Sequence, residues 1–131
     1  MDTVTGSPPV WHASGTMHST LFLAYRYDRA GKLLDVSNSV VACSAIVERA
    51  VKLFGGCTLS SADGFYKQGG EVVVDWTARL EIVHPTSVRD FAIWAGQQLN
   101  QASVLLVEVG PNGHYLEEFV ACPVAVQEAA A

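Results

Sequence analysis

The sequence predicts an α+β domain of the ferredoxin-like type, a sandwich with element order β-α-β-β-α-β, an antiparallel sheet and two helices on one face. Three observations predict it. Residues 71–83 alternate between apolar and polar side chains, as a half-buried strand does. Two segments with apolar residues three and four positions apart predict helices, and each stands between strand-like segments. The length of 131 residues suits one domain.

The first strand and the first helix lie in the N-terminal half. The segment TLFLAYRY, residues 20–27, is short, aromatic and apolar and is followed by turn residues, which predicts a central strand. Residues 38–54 predict an amphipathic helix, with Ser37 or Asn38 as N-cap and Gly55-Gly56 as the stop. Its apolar stripe is Val40, Cys43, Val47, Val51 and Phe54.

A hairpin follows the first helix. Residues 57–66 predict a second strand that is interrupted by Gly64. Residues 67–70, KQGG, contain the glycines of a tight turn, so the second and third strands are expected to be antiparallel neighbours. We expect one face of the third strand to be buried, namely Val72, Val74, Trp76, Ala78, Leu80 and Ile82.

The remaining elements are a helix and two strands. Pro85 ends the third strand, and Ser87 with Asp90 forms an S-x-x-D helix start. The second helix runs to about residue 100 and presents one apolar face, made of Val88, Phe91, Ala92, Ala95 and Leu99. Residues 103–109 predict a buried strand, and a turn leads to a short fifth strand at residues 115–120.

The chain ends differ in composition from the body. Residues 1–18 are rich in Thr, Ser, Gly and Pro and predict a flexible N-terminal arm, whose Trp11 either docks on the body or a neighbouring subunit or stays exposed. Residues 19–121 are expected to form the single domain. Residues 122–131 are expected to be a C-terminal tail.

Composition narrows the function classes. A net charge of −5 without a Lys/Arg cluster argues against nucleic-acid binding, and no apolar run approaches the roughly 20 residues of a membrane span. Three separated cysteines suit reduced thiols in the cytoplasm. The scattered histidines and the lack of a nucleotide-phosphate motif predict neither metal nor cofactor. Half of the residues are apolar and 16% are charged, which favours a homo-oligomer.

The informative segment for chemistry is DGFYKQGGE, residues 63–71. Tyr66 stands near the end of one strand and Glu71 at the start of its hairpin partner, so the phenol and the carboxylate can converge to orient a cationic ligand. The simpler interpretation is an ordinary hairpin with a solvated Glu71 and a half-buried Tyr66, because isolated acidic residues at turns are common. The residues alone leave both interpretations open.

Beyond these residues, the chain resembles a known family. The order TLFLAYRY, helix, GFYKQGGE, helix and QASVLLVEV is similar to that of the small phage enzymes that degrade S-adenosylmethionine, called SAM hydrolases and now viewed as lyases. The resemblance covers residues 20–109 and includes the family's Glu shortly after Gly-x-Tyr. One departure is Val72-Val73 after the Glu, where the family often has a small residue.

The resemblance implies a function and a site. It implies a ferredoxin-like subunit in a homotrimer, with the small-molecule substrate bound between subunits in the host cytoplasm, where such enzymes act against restriction. It implies that Glu71 and Tyr66 are catalytic and that Gly64, Phe65 and Tyr66 contact the substrate. The implied reaction is attack of the substrate's own carboxylate on its γ-carbon, which releases methylthioadenosine and homoserine lactone.

Three function classes therefore follow from the sequence. The first is an enzyme, a lyase acting on S-adenosylmethionine or a similar nucleotide. The second is a nucleotide-binding oligomeric module that sequesters or senses its ligand without turnover, as a phage anti-defence protein does. The third is a structural protein that uses apolar faces only for assembly. Turnover separates the first class from the others, and ligand binding separates the second from the third.

Overall fold

The computed structural model describes residues 16–124, which form a five-stranded antiparallel sheet and two α-helices. The elements are β1 (Met17–Ala24), α1 (Val36–Phe54), β2 (Thr58–Gln68), β3 (Glu71–His84), α2 (Arg89–Gln98), β4 (Ser103–Val109) and β5 (Tyr115–Ala121). The sheet order is β2-β3-β1-β4-β5. This confirms the predicted ferredoxin-like fold, with β5 added beside β4. Residues 1–15 of the predicted arm, Trp11 included, lie outside the described residues. The last two residues of the predicted arm, Met17 and His18, belong to β1.

Strand β1 begins and ends three residues earlier than the sequence predicts. The Tyr25 N–H still donates to the Trp76 carbonyl at 2.9 Å, as a strand residue would. The next N–H, of Arg26, donates instead to the carboxylate of Asp75 at 3.0 Å. The side chain of a neighbouring strand therefore takes the chain out of the ladder, which the aromatic run in residues 20–27 cannot reveal.

Helix α1 ends where the sequence predicts but begins two residues earlier, with a different cap and a rotated buried face. Its N-cap is Asp35, whose Oδ1 accepts the Asn38 N–H at 3.1 Å, so the prediction of Ser37 or Asn38 was wrong. The predicted glycine stop is confirmed, because Gly55 has φ 88°. The fully buried helix residues are Ser39, Ile46 and Ala50, whereas Val40 and Val51 of the predicted stripe are exposed.

The β2–β3 hairpin confirms the clearest expectation. Residues 71–84 form one strand, and its register pairs Gln68 with Glu71, Tyr66 with Val73 and Gly64 with Asp75. Both turn glycines, Gly69 and Gly70, have positive φ, 60° and 84°. A two-residue turn with two positive φ angles has the twist that antiparallel strands need, which explains the paired glycines.

The core lies between the sheet and the helices. Both helices cover one sheet face, and the buried apolar strand residues are Leu21, Leu23, Ala78, Leu80, Ile82, Val104, Leu106 and Val120. Val72 and Trp76 were predicted to be buried with them, but they are 71% and 40% exposed. The reason is that β1 ends opposite Thr77, so the outer part of β3 pairs only with β2 and extends past the core. Neither helix of the described region is long and apolar enough to cross a membrane.

Helix α2 has the predicted apolar face but a cap supplied by another strand. Its N-cap, Val88, makes no side-chain cap hydrogen bond. The Val88 N–H donates to the buried carboxylate of Glu108 on β4 at 3.3 Å, and the Ser87 hydroxyl donates to the same oxygen at 2.7 Å. Ser87 in turn accepts the Arg89 N–H at 3.2 Å. The start of α2 is thus held by Glu108 through Ser87, rather than by a box with Asp90.

Candidate functional site

The outer half of the β2–β3 hairpin carries the residues that the sequence singles out. Because side chains alternate along a strand, Gly64, Tyr66 and Glu71 lie on the sheet face opposite the helices, here called the open face. Phe65 points to the helix side and is 68% exposed. The structure therefore divides the predicted substrate residues between two faces.

Tyr66 and Glu71 share a face, but no hydrogen bond joins them. Glu71 pairs with Gln68 beside the turn, and Tyr66 pairs with Val73, so the two side chains are diagonal neighbours across the strands. Within residues 16–124, the carboxylate of Glu71 has no hydrogen-bond or ion-pair partner. The two side chains can therefore converge on a ligand at this face, but no hydrogen bond among the described residues brings them together.

Asp75, unlike Glu71, has hydrogen-bond partners among the described residues. It lies on the other side of Tyr66 from Glu71. Asp75 is 6% exposed, and its Oδ1 accepts the Arg26 N–H. Burial raises the pKa of this carboxyl, against the opposing effect of the backbone N–H groups of Arg26, Trp76 and Tyr27. In the alternation of residues 71–83, Asp75 stands on the polar face of β3, which the sequence does not predict to be buried. It is covered because residues 25–27 fold over it.

Tyr66 lies in the same electrostatic environment. Partial burial raises the pKa of its hydroxyl, and the Asp75 carboxylate and Tyr27 add to the shift while Arg26 opposes it. We call these four residues, Tyr66, Asp75, Tyr27 and Arg26, the hairpin cluster. A raised tyrosine pKa keeps the hydroxyl protonated at neutral pH. Tyr66 can therefore offer an aromatic face and a hydrogen-bond donor, but not a base.

Gly64 has a packing role beside this cluster. A Cβ atom at position 64 would lie 2.9 Å from Oγ1 of Thr77 and 3.7 Å from the Asp75 carbonyl oxygen. Thr77 is buried on β3, so it has little room to move. The glycine lets β2 approach β3 closely at the point where Asp75 is held.

Asp75→Asn should reduce the pH dependence of stability. Since the pKa of the folded carboxyl is raised above the ordinary 3.8, the native state binds this proton more tightly than the unfolded chain does. Its contribution is most favourable below the unfolded pKa and is lost as pH rises through the folded pKa. We expect the asparagine variant to gain stability relative to wild type between about pH 4 and pH 7, measured by urea unfolding. If the free energies of unfolding of the variant and the wild type differ by the same amount at both pH values, the prediction is wrong.

A groove of about 540 Å³ lies on the helix side, between α1 and the hairpin. Its walls are mainly apolar and include Tyr25, Ser39, Cys43, Leu59, Ser61 and Ala78. Burial raises the pKa of the Cys43 thiol, which keeps it protonated and unsuited to act as a nucleophile. The Tyr25 ring lies 5.9 Å from the Trp76 ring, so the groove adjoins the edge of β3 beside the hairpin cluster.

Comparison with solved structures shows the same fold in phage SAM lyases. A phage SAM lyase in complex with S-methyl-5'-thioadenosine aligns with a TM-score of 0.60 and 14% identity, over 83% of this chain and 92% of that chain. A phage SAM lyase in the apo state aligns with a TM-score of 0.54 and 12% identity, over 88% and 97%. No protein-family model and no curated protein matches the sequence. At this identity the likeness defines the fold, which is that of the SAM lyases.

Proposed function

We propose that this protein is a lyase that degrades S-adenosylmethionine to methylthioadenosine and homoserine lactone. The observation that carries the proposal is an aromatic and acidic strand face, with Tyr66 between Glu71 and Asp75, on a fold shared with a phage SAM lyase that binds methylthioadenosine. The Gly64-x-Tyr66 and Glu71 motif, which resembles that of the SAM lyases, also supports it. The same face suits a ligand that is cationic and partly aromatic.

The proposed chemistry needs little from the protein besides positioning. A carboxylate oxygen of the substrate attacks its own γ-carbon, the bond from that carbon to sulfur breaks, and the electron pair goes to sulfur. No proton, water or second substrate enters. The negative carboxylate and the positive sulfonium neutralise each other as the lactone forms, so a site that excludes water and holds the bent conformer favours the reaction.

This charge balance assigns different tasks to the site residues. The α-ammonium group keeps its charge throughout, so Glu71 can bind it without opposing the reaction. A protein carboxylate bound to the sulfonium would instead stabilise the positive charge of the substrate, which is lost as the carbon–sulfur bond breaks. The neutral ring of Tyr66 suits the sulfonium better. A contact of Phe65 with the substrate would need the ligand to reach around the edge of β2, and it stays a prediction.

Glu71→Gln should lower turnover by at least about tenfold, equivalent to roughly 1.4 kcal/mol of transition-state stabilisation. The amide keeps the shape but loses the charge that orients the ammonium group. Tyr66→Phe should cost less, because the ring remains. The measurement is chromatographic detection of methylthioadenosine and homoserine lactone after incubation with S-adenosylmethionine.

The control is Glu48→Gln, since Glu48 is an exposed carboxylate on α1, away from the open face. Both variants should unfold within about 0.5 kcal/mol of wild type, as exposed substitutions usually do. Wild-type protein that leaves S-adenosylmethionine intact for hours, at enzyme concentrations near that of the substrate, would rule out the lyase.

Non-catalytic nucleotide binding is the second candidate, favoured by one observation. The Glu71 carboxylate is exposed and has no partner among residues 16–124, so a single subunit does not enclose the site. Calorimetric binding of S-adenosylmethionine or another nucleotide without any product would support this module over the enzyme.

We also propose that another copy of this chain covers the open face. Cross-strand neighbours there form a continuous apolar surface of Phe22, Leu105, Val107, Val109, Tyr115 and Phe119. Val109, Tyr115 and Phe119 are 50%, 61% and 71% exposed in the single subunit. Large contiguous apolar surfaces of this kind mark association sites. A trimer is the form that the family resemblance favours, and it would enclose the hairpin residues between subunits.

A further inference from the structure

Arg26 lies against two aromatic rings at the edge of β3. Its Cζ lies 4.9 Å from the centre of the Trp76 ring and 5.1 Å from that of Tyr27. Nη1 donates to the Val74 carbonyl at 3.0 Å. Within residues 16–124, its Nε and Nη2 have no hydrogen-bond partner. The two ring contacts and the bond to Val74 hold the guanidinium in place while leaving Nε and Nη2 free to donate, an arrangement suited to binding an oxyanion.

The backbone that carries Arg26 is fixed as well. Its N–H is bound by the buried Asp75, and its carbonyl accepts the Leu34 N–H at 2.8 Å. The next carbonyl, of Tyr27, accepts from Nε2 of the buried Gln101 at 2.6 Å. Three separate parts of the chain thus hold this segment. A guanidinium placed in this way loses little entropy when it binds a ligand.

The charges around Arg26 select among oxyanions. The outer part of the hairpin, residues 63–75, carries three carboxylates, Asp63, Glu71 and Asp75, and one ammonium, Lys67. Asp63 is the direct cross-strand partner of Trp76, against which Arg26 stacks. Such surroundings repel a di- or triphosphate. They suit a zwitterion, whose single carboxylate meets Arg26 while its ammonium meets an acidic side chain.

We propose that Arg26 is the anchor for the α-carboxylate of an amino-acid-bearing ligand, with Asp75 as the residue that positions it. This inference rests on the proposed function, because that carboxylate is the proposed nucleophile. One oxygen lies on Arg26 and the other faces the γ-carbon. The carboxylate becomes a neutral ester as the lactone forms, so its bond to Arg26 is strongest before the reaction. Arg26→Gln should therefore raise KM more than it lowers kcat.

The test uses calorimetry with three probes on the full chain. S-adenosylhomocysteine carries the amino-acid end, methylthioadenosine lacks it, and ADP carries phosphates. Arg26→Gln should weaken S-adenosylhomocysteine binding at least about tenfold and leave methylthioadenosine binding within about twofold. Arg26→Lys should give an intermediate loss, because it keeps the charge without the planar donors. The Lys variant also tests the proposal if Gln impairs folding.

The matched control is Arg49→Gln. Arg49 stacks on Trp94 with its Cζ 4.5 Å from the ring centre, so it repeats the arginine-on-indole contact away from the hairpin. It should change binding of neither nucleoside. Equal loss of both nucleosides in Arg26→Gln, or no loss of either, would overturn the carboxylate assignment. So would ADP binding more tightly than S-adenosylhomocysteine, or a wild type that binds neither nucleoside. Arg26-dependent S-adenosylhomocysteine binding without turnover would support the anchor while ruling out the lyase.

Discussion

Leu80→Ala should lower the free energy of unfolding by about 3–4 kcal/mol. Leu80 lies in the middle of β3, is 0% exposed, and is paired with Leu21 on β1 and Leu59 on β2. Removing three carbon atoms there costs their transfer from water and leaves a cavity that a sheet paired on both sides cannot close. Urea unfolding followed by circular dichroism measures the loss, and the dependence of the free energy of unfolding on urea concentration should keep its slope.

The matched control is Leu59→Ala, on the same face of the neighbouring strand. Leu59 is 50% exposed, so the same deletion should cost less than about 1.5 kcal/mol. Equal losses for the two variants would mean that the sheet and helices pack differently around β3. A loss below about 1.5 kcal/mol for Leu80 would contradict its central place in the core.

Phe119→Asp should raise the dissociation constant of the proposed oligomer by at least about a hundredfold, or roughly 2.7 kcal/mol. Phe119 is 71% exposed in the subunit and pairs directly with Leu105 on the open face. An aspartate there would be a charge without a partner once a second copy covers the face. Light scattering across a dilution series measures the change in assembly.

The control for assembly is Val51→Asp, because Val51 is also apolar and 47% exposed but lies on α1, in the helix layer. It should leave the oligomer intact. Wild-type protein that scatters as a monomer at micromolar concentration would contradict the proposed interface. If Phe119→Asp separates the subunits, lyase activity should fall with it, since the open-face site is then left uncovered.

Much of the fold follows from local sequence. The alternation in residues 71–83 and the Gly69-Gly70 pair act over neighbouring residues, and together they determine the hairpin and its register. The apolar face of α2 is also local, and its predicted residues are buried. That Tyr66 and Glu71 share a sheet face follows from the same register.

Tertiary structure decided the element ends and the centre of the candidate site. The Asp75 carboxylate both ends β1 and binds Arg26, which is 49 positions away in the sequence. Glu108 holds the start of α2 from a strand that follows it. A local pattern indicates which side chains can be buried. The sequence around a carboxylate on a strand is the same whether water or another segment of the chain covers it. Only the packed chain brings Arg26, Tyr27 and Asp75 beside Tyr66, because the hydrogen bonds and the ring contact that join Arg26 to residues 74–76 link segments that are distant in sequence.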